Sequence, residues 1–434
     1  MSGAGNIPQA AERRFLFLQG PLSPLYRDIG RILRRQGCSV FRINLCFGDW
    51  LHWHEGDTLS YRGDLADWEG FVGAVMDREG ITDLVLHGDQ RFYHKQAIAQ
   101  ARRRGVRVFV TELGFLRSGW MTLEREGLAT LSRFPVDPRQ IISISERSGP
   151  IDFSPAFPKS TWREIVPDVI YNLGNALSQP FFPHYQRHTI YHPVPEYLRG
   201  GWRLLWEGKR MRLAGKQIEI LLASGHPYFI LPLQLEGDFQ LRAHSPYRSF
   251  GEVMAVVLES FAKNADADAC LVLKTHPLDV GLENWPAVAQ SLAQHYDIEG
   301  RVIFLDGGSL SDLFDGASGL VTLNSTAGLE ALQANVPVKT LVPAHYDIEG
   351  LTFSGSLSDF WRKAGGPDAE LLGHYVRAVA ATLQVRGSIH NREGTVAAAQ
   401  NIAKRMIDLS VNEPDAFGPE PPRLAKARSL GVPL

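Results

Sequence analysis

A basic motif follows an apolar run in the C-terminal half of the chain. The run LVLKTHPLD places Lys274 at the end of a predicted buried strand, with His276 and Pro277 directly after it. An ammonium and an imidazole can both donate hydrogen bonds to a phosphate. A His-Pro pair can equally have a purely structural role, and two further pairs begin at His192 and His226. Only the pair at His276 ends a strong apolar strand, so it is the candidate for anion binding.

A second polar motif, VTLNSTAGLEAL, marks the passage from a predicted strand to a predicted helix. Asn324, Ser325 and Thr326 follow the apolar run at the point where the helix begins. Ser and Thr at a helix start often serve only as caps, but the same hydroxyls and backbone N–H groups also form binding sites for anions. Together with His276 on another predicted strand of the same domain, this motif favours a phosphate site.

Two carboxylates stand after predicted strands and are candidates for catalysis. Asp238 lies in the polar segment after the run FILPLQ, together with Gln234 and His244. A carboxylate there could act as a nucleophile or stabilise an oxocarbenium-like centre; the alternative is a turn Asp in front of a helix. In the first half, Glu112 follows the strand-like run VRVFVT and is a candidate general acid or base.

Other residues near the strand-like runs of the first half are candidates for the cleft or for acceptor binding: Gly20, Asn44, Asp49, Trp50, Asp89, Arg91, Arg117 and Glu124. Four histidines in this half, at positions 52, 54, 87 and 94, fall in two loops without HExxH or a comparable spacing. Because zinc sites need ligands at defined spacings, the sequence predicts no metal site.

The elements that must position these residues alternate between strand-like and helix-like patterns. Short apolar runs separated by amphipathic segments predict an α/β fold with parallel sheets covered by helices. We expect a Rossmann-like domain over residues 1–150 and a second one over residues 216–400. Residues 151–215, rich in Pro, Arg and aromatic residues, are predicted to be a helical linker or insertion, and residues 401–434 a mobile tail. Two such domains facing each other would form a cleft at the carboxyl ends of their strands.

Composition excludes several classes of function. The chain has 434 residues and a formal net charge of −2, so no nucleic-acid partner is expected. No GxGxxG fingerprint and no P-loop occur, and the chain therefore lacks the usual signals for NAD or ATP. Nucleotide-sugar chemistry remains, by fold analogy. With three cysteines, no apolar signal segment and no run long enough to span a membrane, we expect a cytoplasmic protein that is at most peripheral to a membrane.

Several motifs, taken in order along the chain, resemble those of the capsule polysaccharide biosynthesis family of the KpsS/LipB type. They are LQGPLSPLYRDIGRILRRQG, INLCFGDW, HGDQRFYHKQA, TELGFLRSGWMTLEREG, PLQLEGDFQLRAHSP, KTHPLD, LNSTAGLEAL and YDIEGLTFSGSLSDFW, and they run from about residue 15 to about residue 385. The resemblance implies a GT-B fold, in which two Rossmann-like domains enclose the active site.

The implied activity is that of a retaining β-Kdo glycosyltransferase, with CMP-Kdo as the donor substrate and no further cofactor or metal. The resemblance implies a (lyso)phosphatidylglycerol acceptor, the first step of the glycolipid linker of a capsular polysaccharide, and a place at the inner face of the inner membrane beside other capsule proteins. Residues 176–212 would be the membrane contact. One catalytic module fits in this chain, which favours the initiating enzyme over the enzyme that extends the linker.

The resemblance also implies roles for individual residues. His276 and Pro277 match an element that binds the CMP phosphate, and Ser325 and Thr326 match an element on the same nucleotide. Asp238 matches an acidic position and would be the nucleophile, and Glu112 matches another and would be the acid/base. The alternative is that the two carboxylates have the opposite roles. A transferase that uses CMP-sialic acid, a nucleotide-sugar epimerase and a non-enzymatic export or scaffold protein are the competing hypotheses.

Overall fold

Buried apolar runs form the strands of two sheets, and each sheet belongs to its own unit of the chain. The structure, a computed structural model, describes residues 12–116, 119–158 and 161–434. Unit 1 takes in residues 1–135, 143–188 and 376–421, and unit 2 takes in residues 136–142, 189–375 and 422–434. The prediction of an α/β protein with two Rossmann-like domains is confirmed.

Unit 1 is built around a seven-stranded sheet. Its elements are β1 (Arg14–Phe17), α1 (Leu25–Arg35), β2 (Ser39–Asn44), α2 (Phe47–His52), β3 (Asp57–Ser60), α3 (Leu65–Glu79), β4 (Asp83–His87), α4 (Phe92–Arg103), β5 (Arg107–Leu113), β6 (Trp120–Arg125), α6 (Thr161–Leu177), β12 (Gln384–Arg386) and α15 (Arg392–Ile407). The strand order is β12-β6-β5-β4-β1-β2-β3, with β1 to β5 parallel and β6 antiparallel to both of its neighbours.

Unit 2 contains a five-stranded, fully parallel sheet in the order β11-β10-β7-β8-β9. Its elements are α7 (Pro193–Leu205), α8 (Glu207–Ser224), β7 (Tyr228–Pro232), α9 (Phe239–Arg242), α10 (Phe250–Asn264), β8 (Cys270–Lys274), α11 (Trp285–His295), β9 (Val302–Leu305), β10 (Gly319–Thr322), α12 (Thr326–Gln333), β11 (Val338–Thr340), α13 (Leu357–Lys363) and α16 (Leu424–Ser429). Helices α5 (Pro138–Arg147) and α14 (Ala369–Thr382) are each divided between the units.

Period-two alternation explains how the first strand serves both faces of its sheet. Phe15 and Phe17 pack with α1 and α15, whereas Leu16 and Leu18 pack with α3 and α4. Successive side chains of a strand point to opposite faces, so an uninterrupted apolar run is what a doubly covered sheet requires. On α1, residues Leu25, Ile29 and Leu33 recur every fourth position and are fully buried. Unit 2 is covered in the same way on one face by α10, α11 and α13.

Both sheets change the direction of winding at their first strand. In unit 1 the chain order runs outward from β1 to β3 on one side and from β4 to β6 on the other, and unit 2 repeats this around β7. Doubly wound sheets bind ligands outside the carboxyl ends of the strands at such a switch point. The switch points lie between β1 and β4 in unit 1 and between β7 and β10 in unit 2.

The predicted boundaries differ from the observed units at the C-terminal end. Residues 376–400 were assigned to the second domain and residues 401–434 to a mobile tail, but residues 376–421 belong to unit 1. Strand β12 pairs with β6, and α15 packs against α1. Val411 and Ala416 have no exposed surface, and the Arg423 guanidinium donates to the carbonyl of Ala344 at 3.0 Å. These contacts bury the segment that we predicted to be a tail.

The segment predicted as a helical linker or insertion contains α6, α7 and the first half of α8, with irregular stretches over residues 151–158 and 178–192, and it is divided between the units. Helix α6 belongs to unit 1, and α7 and α8 belong to unit 2. Among the described residues, no helix is both long enough and apolar enough to cross a membrane.

Candidate functional site

Polar side chains flank the switch point of unit 2 on both sides. Gln234 follows β7 and Asn324 follows β10, and both side chains are buried. The Gln234 side-chain amide donates to Asn324 Oδ1 at 3.4 Å, and Asn324 Nδ2 donates to the carbonyl of Gln240 at 3.2 Å. The Oε1 atom of Gln234 is buried without a hydrogen-bond partner in the described residues. Since buried polar atoms are nearly always paired, this unpaired oxygen makes the switch point of unit 2 a candidate ligand site.

Helix α12 begins beside this amide pair. Ser325 is its N-cap, because Ser325 Oγ accepts from the N–H of Ala327 at 3.2 Å. The Tyr346 hydroxyl donates to the carbonyl of Ser325 and so fixes the turn. The hydroxyl of Ser325 therefore has the structural role that the sequence left open, while the exposed Thr326 and the partial positive charge of the helix start remain suited to an anion.

Gly328 permits the close contact that holds this turn. A Cβ atom at Gly328 would lie 2.1 Å from the hydroxyl oxygen of Tyr346, much closer than atoms can approach. We therefore expect Gly328→Ala to displace Tyr346 and to lower the free energy of unfolding by roughly 1–3 kcal/mol. The control is Gly373→Ala in α14, where a Cβ meets no atom within 4 Å, and which should gain up to about 1 kcal/mol. Chemical denaturation measures both; equal stability of Gly328→Ala and wild type would contradict the steric argument.

Lys274 and His276 lie at and just beyond the end of β8. Lys274 is buried, and its ammonium donates to the carbonyl of Thr275 at 3.3 Å. Burial lowers the pKa of Lys274, and the nearby Asp306 carboxylate opposes that shift. His276 Nδ1 accepts from the N–H of Leu278 at 3.1 Å. An accepting Nδ1 leaves the ring proton on Nε2, so His276 can donate from that atom.

Asp238 caps the short helix α9 that follows β7. Its Oδ1 accepts from the N–H of Gln240 at 2.9 Å, and its side chain is half-buried. This is the turn that the structural alternative predicted. His244, from the same predicted segment, is buried. Pro277 is exposed directly after His276.

In unit 1, Glu112 and His87 form a pair at the ends of β5 and β4. Glu112 Oε1 lies 3.4 Å from His87 Nε2 and accepts from the N–H of Leu113 at 3.0 Å. Burial raises the pKa of Glu112, while the Leu113 N–H and the Arg91 guanidinium partly offset the rise. Burial also holds the pKa of His87 well below its ordinary value, and Arg91 adds to that effect. Neutral His87 can therefore donate from Nε2 to the carboxylate of Glu112.

Two hydroxyls extend this pair into the interior of unit 1. His87 Nδ1 is 3.0 Å from Thr111 Oγ1, which in turn is 2.7 Å from the hydroxyl of Tyr26. All three residues are buried. Hydrogen bonds in such a chain fix the tautomer and orientation of the imidazole. The sequence indicated Glu112 as an acid/base candidate but gave His87 no such role.

Gln19, which the sequence analysis did not select, lies at the switch point of unit 1. Its side-chain amide donates to the hydroxyls of Tyr171 at 2.7 Å and Tyr185 at 3.1 Å, and its carbonyl accepts from Arg91 at 3.0 Å. The only signal in the sequence is its position after the first apolar run. Gly20, the next residue, allows the ring of Tyr26 to approach, because a Cβ there would lie 2.8 Å from it.

Four other predicted residues of unit 1 have internal roles that account for their polarity. Asn44 bonds Trp53, Asp49 accepts from Leu45, Asp89 accepts from Leu128 and Glu124 accepts from Ser132, and all four side chains are buried. Glu124 lies within β6 opposite Val110.

The remaining candidates are placed as follows. Trp50 is partly exposed on α2 and stacks on Phe47, and Arg117 lies outside the described residues. The described residues contain no group of three or more His, Cys, Asp or Glu side chains that could hold a metal ion.

Comparisons with known proteins identify similar chains over most of this sequence. A family model described as "Capsule polysaccharide biosynthesis protein" matches residues 82–390. The capsule polysaccharide export protein KpsS of Escherichia coli is 28% identical over 83% of this chain and 92% of its own length. The capsule polysaccharide modification protein LipB of Neisseria meningitidis is 27% identical over 89% of this chain and 94% of its own. A solved glycosyltransferase structure from Rickettsia africae aligns over 97% of both chains with 8% identity and a TM-score of 0.34, a value too low to carry an argument.

Proposed function

The chain belongs to the capsule polysaccharide biosynthesis protein family, and we propose that it is a retaining glycosyltransferase that moves Kdo from CMP-Kdo to a (lyso)phosphatidylglycerol acceptor. This reaction would start the glycolipid linker of a capsular polysaccharide at the inner face of the inner membrane, where other capsule export proteins would receive the product. The observation that carries the proposal is the set of polar groups at the carboxyl ends of the neighbouring strands β7, β8 and β10 of unit 2, which are Gln234, Lys274, His276, Asn324 and the start of α12.

These groups suit the phosphate of CMP. Nε2 of His276 and the ammonium of Lys274 can donate to phosphate oxygens, and the start of α12 adds a favourable dipole. As the sugar leaves, negative charge develops on the phosphate, so preorganised donors stabilise the transition state more than the bound substrate. The proposed step draws on no metal or other cofactor.

The carboxylates supply the bond-forming steps of the proposed mechanism. The Asp238 carboxylate attacks the anomeric carbon of Kdo, and the bond to the CMP phosphate breaks with its electron pair leaving on CMP. Glu112 then takes the proton of the acceptor hydroxyl, whose oxygen displaces Asp238 from the same carbon. Two inversions give net retention of configuration. The pKa of Glu112 is raised, which is the direction that an acid/base role requires of a carboxylate.

Product analysis tests the proposed function directly. The purified protein is incubated with CMP-Kdo and lyso-phosphatidylglycerol, and with CMP-sialic acid in a parallel reaction, and the lipid is examined by mass spectrometry. We expect a mass gain of one Kdo on the lipid. A gain of two or more would indicate the linker-extending enzyme, and transfer from CMP-sialic acid would indicate the other donor. A folded protein that binds CMP but gives no product would contradict a transferase with these substrates, and one that does not bind CMP would support the scaffold hypothesis.

Arg91→Met should move the acidic limb of the pH profile to higher pH. Glu112 must be ionised to accept the acceptor proton, so the rate falls as pH falls through its pKa. Arg91 lowers that pKa, and removing its charge raises the pKa further. The profile of kcat/KM against pH measures the shift. The control is Arg102→Met in α4, the helix that follows Arg91; it removes an ion pair with Glu126 and should leave the acidic limb in place. An unshifted limb in Arg91→Met would exclude Glu112 as the group that titrates.

A further inference from the structure

Helix α7 carries an apolar face that is exposed. Val194, Leu198, Trp202 and Leu205 have 53%, 72%, 61% and 79% of their surface accessible. At 3.6 residues per turn these four positions fall within an arc of about 80°, so they form one continuous stripe, which we call the α7 face. Contiguous exposed apolar surface of this kind marks interaction sites.

The opposite side of α7 is attached to unit 2 by polar contacts. The guanidinium of Arg203 pairs with Asp306 at 2.5 Å, and Arg199 Nε donates to the carbonyl of Gly281 at 3.1 Å. Surface helices normally bury their apolar stripe against the core and expose their charges. Helix α7 is attached in the reverse sense, because its arginines bind the body of the unit and its leucines and Trp202 point away from it.

Basic residues accompany the α7 face and continue along α8. Residues 193–216 contain six Lys or Arg and two Glu, in a chain whose formal net charge is −2. Four of the basic side chains are exposed: Arg199, Lys209, Arg212 and Lys216. Trp206 stands 6.1 Å from Trp202 between ring centroids, and Lys209 lies 5.5 Å from the Trp206 ring. Exposed leucines and tryptophans beside lysines and arginines are the side chains that enter the boundary between lipid headgroups and acyl chains.

We propose that the α7 face docks on an anionic lipid bilayer, with its apolar side chains in the headgroup boundary and the exposed basic residues of α8 beside the lipid phosphates. The excess of positive charge over residues 193–216 favours anionic lipid, because the phosphates of its headgroups attract clustered lysine and arginine side chains. The proposal deepens the proposed function, since it names the surface that would meet the membrane containing the acceptor. The binding itself requires neither donor nor acceptor.

Vesicle co-sedimentation tests the proposal with the full-length protein. Vesicles of phosphatidylcholine with about 40% phosphatidylglycerol, which carry a negative surface potential, are compared with vesicles of phosphatidylcholine alone. We expect binding to the anionic vesicles that weakens as salt is added. The double variant Leu198→Ser and Trp202→Ser should bind at least tenfold more weakly. The matched control is Val396→Ser with Leu430→Ser, which removes two exposed apolar side chains elsewhere and should bind as the wild type does.

The possible outcomes separate this proposal from the proposed function. Wild-type protein that does not bind the anionic vesicles, or a double variant that binds them equally well, would overturn the docking proposal. A self-association detected by light scattering and lost in the double variant, without vesicle binding, would show that a second copy covers the face and would overturn it too. Transfer to a short-chain, water-soluble phosphatidylglycerol measures the chemistry alone, and we expect the double variant to retain it.

Discussion

Asp238→Asn is expected to lower kcat for Kdo transfer by on the order of 10³-fold or more, because it removes the proposed nucleophile. The amide still accepts from the N–H of Gln240, the bond that begins α9 at 2.9 Å, and Asn caps helices as well as Asp does. The variant should therefore unfold at the wild-type temperature. Turnover in a quenched assay and thermal unfolding together measure the two quantities that this substitution separates.

Two further variants distinguish the chemical role of Asp238 from its capping role. Asp238→Ala loses the cap as well as the carboxylate and should cost about 1 kcal/mol of stability. Ser249→Ala is the control for the loss of a cap, because it removes the comparable cap of α10 and leaves Asp238 in place. If Asp238→Asn keeps full turnover, the carboxylate is only a cap. Glu112→Gln should accumulate a protein adduct one Kdo heavier than the free chain. Mapping of that adduct to Asp238 would support the proposed assignment, and an adduct that persists in Asp238→Asn would exchange the roles of the two carboxylates.

Asp83→Asn is expected to destabilise unit 1 by about 3–5 kcal/mol, the usual effect of breaking a buried ion pair on one side. The Asp83 carboxylate has no exposed surface and binds two guanidinium groups, with Arg13 at 2.7 Å and Arg107 at 2.8 Å. Arg13 is itself buried and also donates to the carbonyl of Met406 in α15. Replacing the carboxylate by an amide leaves Arg13 charged, buried and without a counter-ion.

The matched control for this variant is Asp77→Asn on the surface of the same unit. Asp77 pairs with Arg104 at 2.7 Å, a distance like that in the buried pair, but its side chain is largely exposed. Solvent and salt screen such a pair, so the control should unfold as the wild type does. Chemical denaturation followed by tryptophan fluorescence gives both values. An equal loss of unfolding free energy in the two variants would mean that the burial of Asp83 does not determine how much its ion pairs stabilise the protein.

Local pattern was enough to predict the strand ends of unit 2. Each apolar run is followed at once by its polar residues, so Gln234 and Asn324 could be placed at one edge of a sheet without knowledge of the strand order. The order is what pairs them, because β10 lies directly beside β7.

Contacts between distant segments could not be predicted in the same way. Gln19 meets Tyr171 and Tyr185, which lie 152 and 166 residues away, and nothing near Gln19 signals them. The burial of Glu124 could not be predicted either, because carboxylates are rarely fully buried. In the structure its carboxylate accepts a hydrogen bond from the buried hydroxyl of Ser132. Strand β12 has three residues, too few for a periodic pattern to appear. The boundaries near the C-terminus were wrong for this reason.

The return of residues 376–421 to unit 1 has a consequence for synthesis on the ribosome. The sheet of unit 1 acquires β12, and its α1 acquires the packing of α15, only after the whole of β7 to β11 has been translated. At about 5–20 residues per second, the 240 residues between positions 135 and 376 take roughly 10–50 s. During that interval β6 is the edge of the sheet, and the face that packs on α1 lacks the cover of α15. The five-stranded sheet of unit 2 can therefore be complete before the sheet of unit 1 receives its last strand.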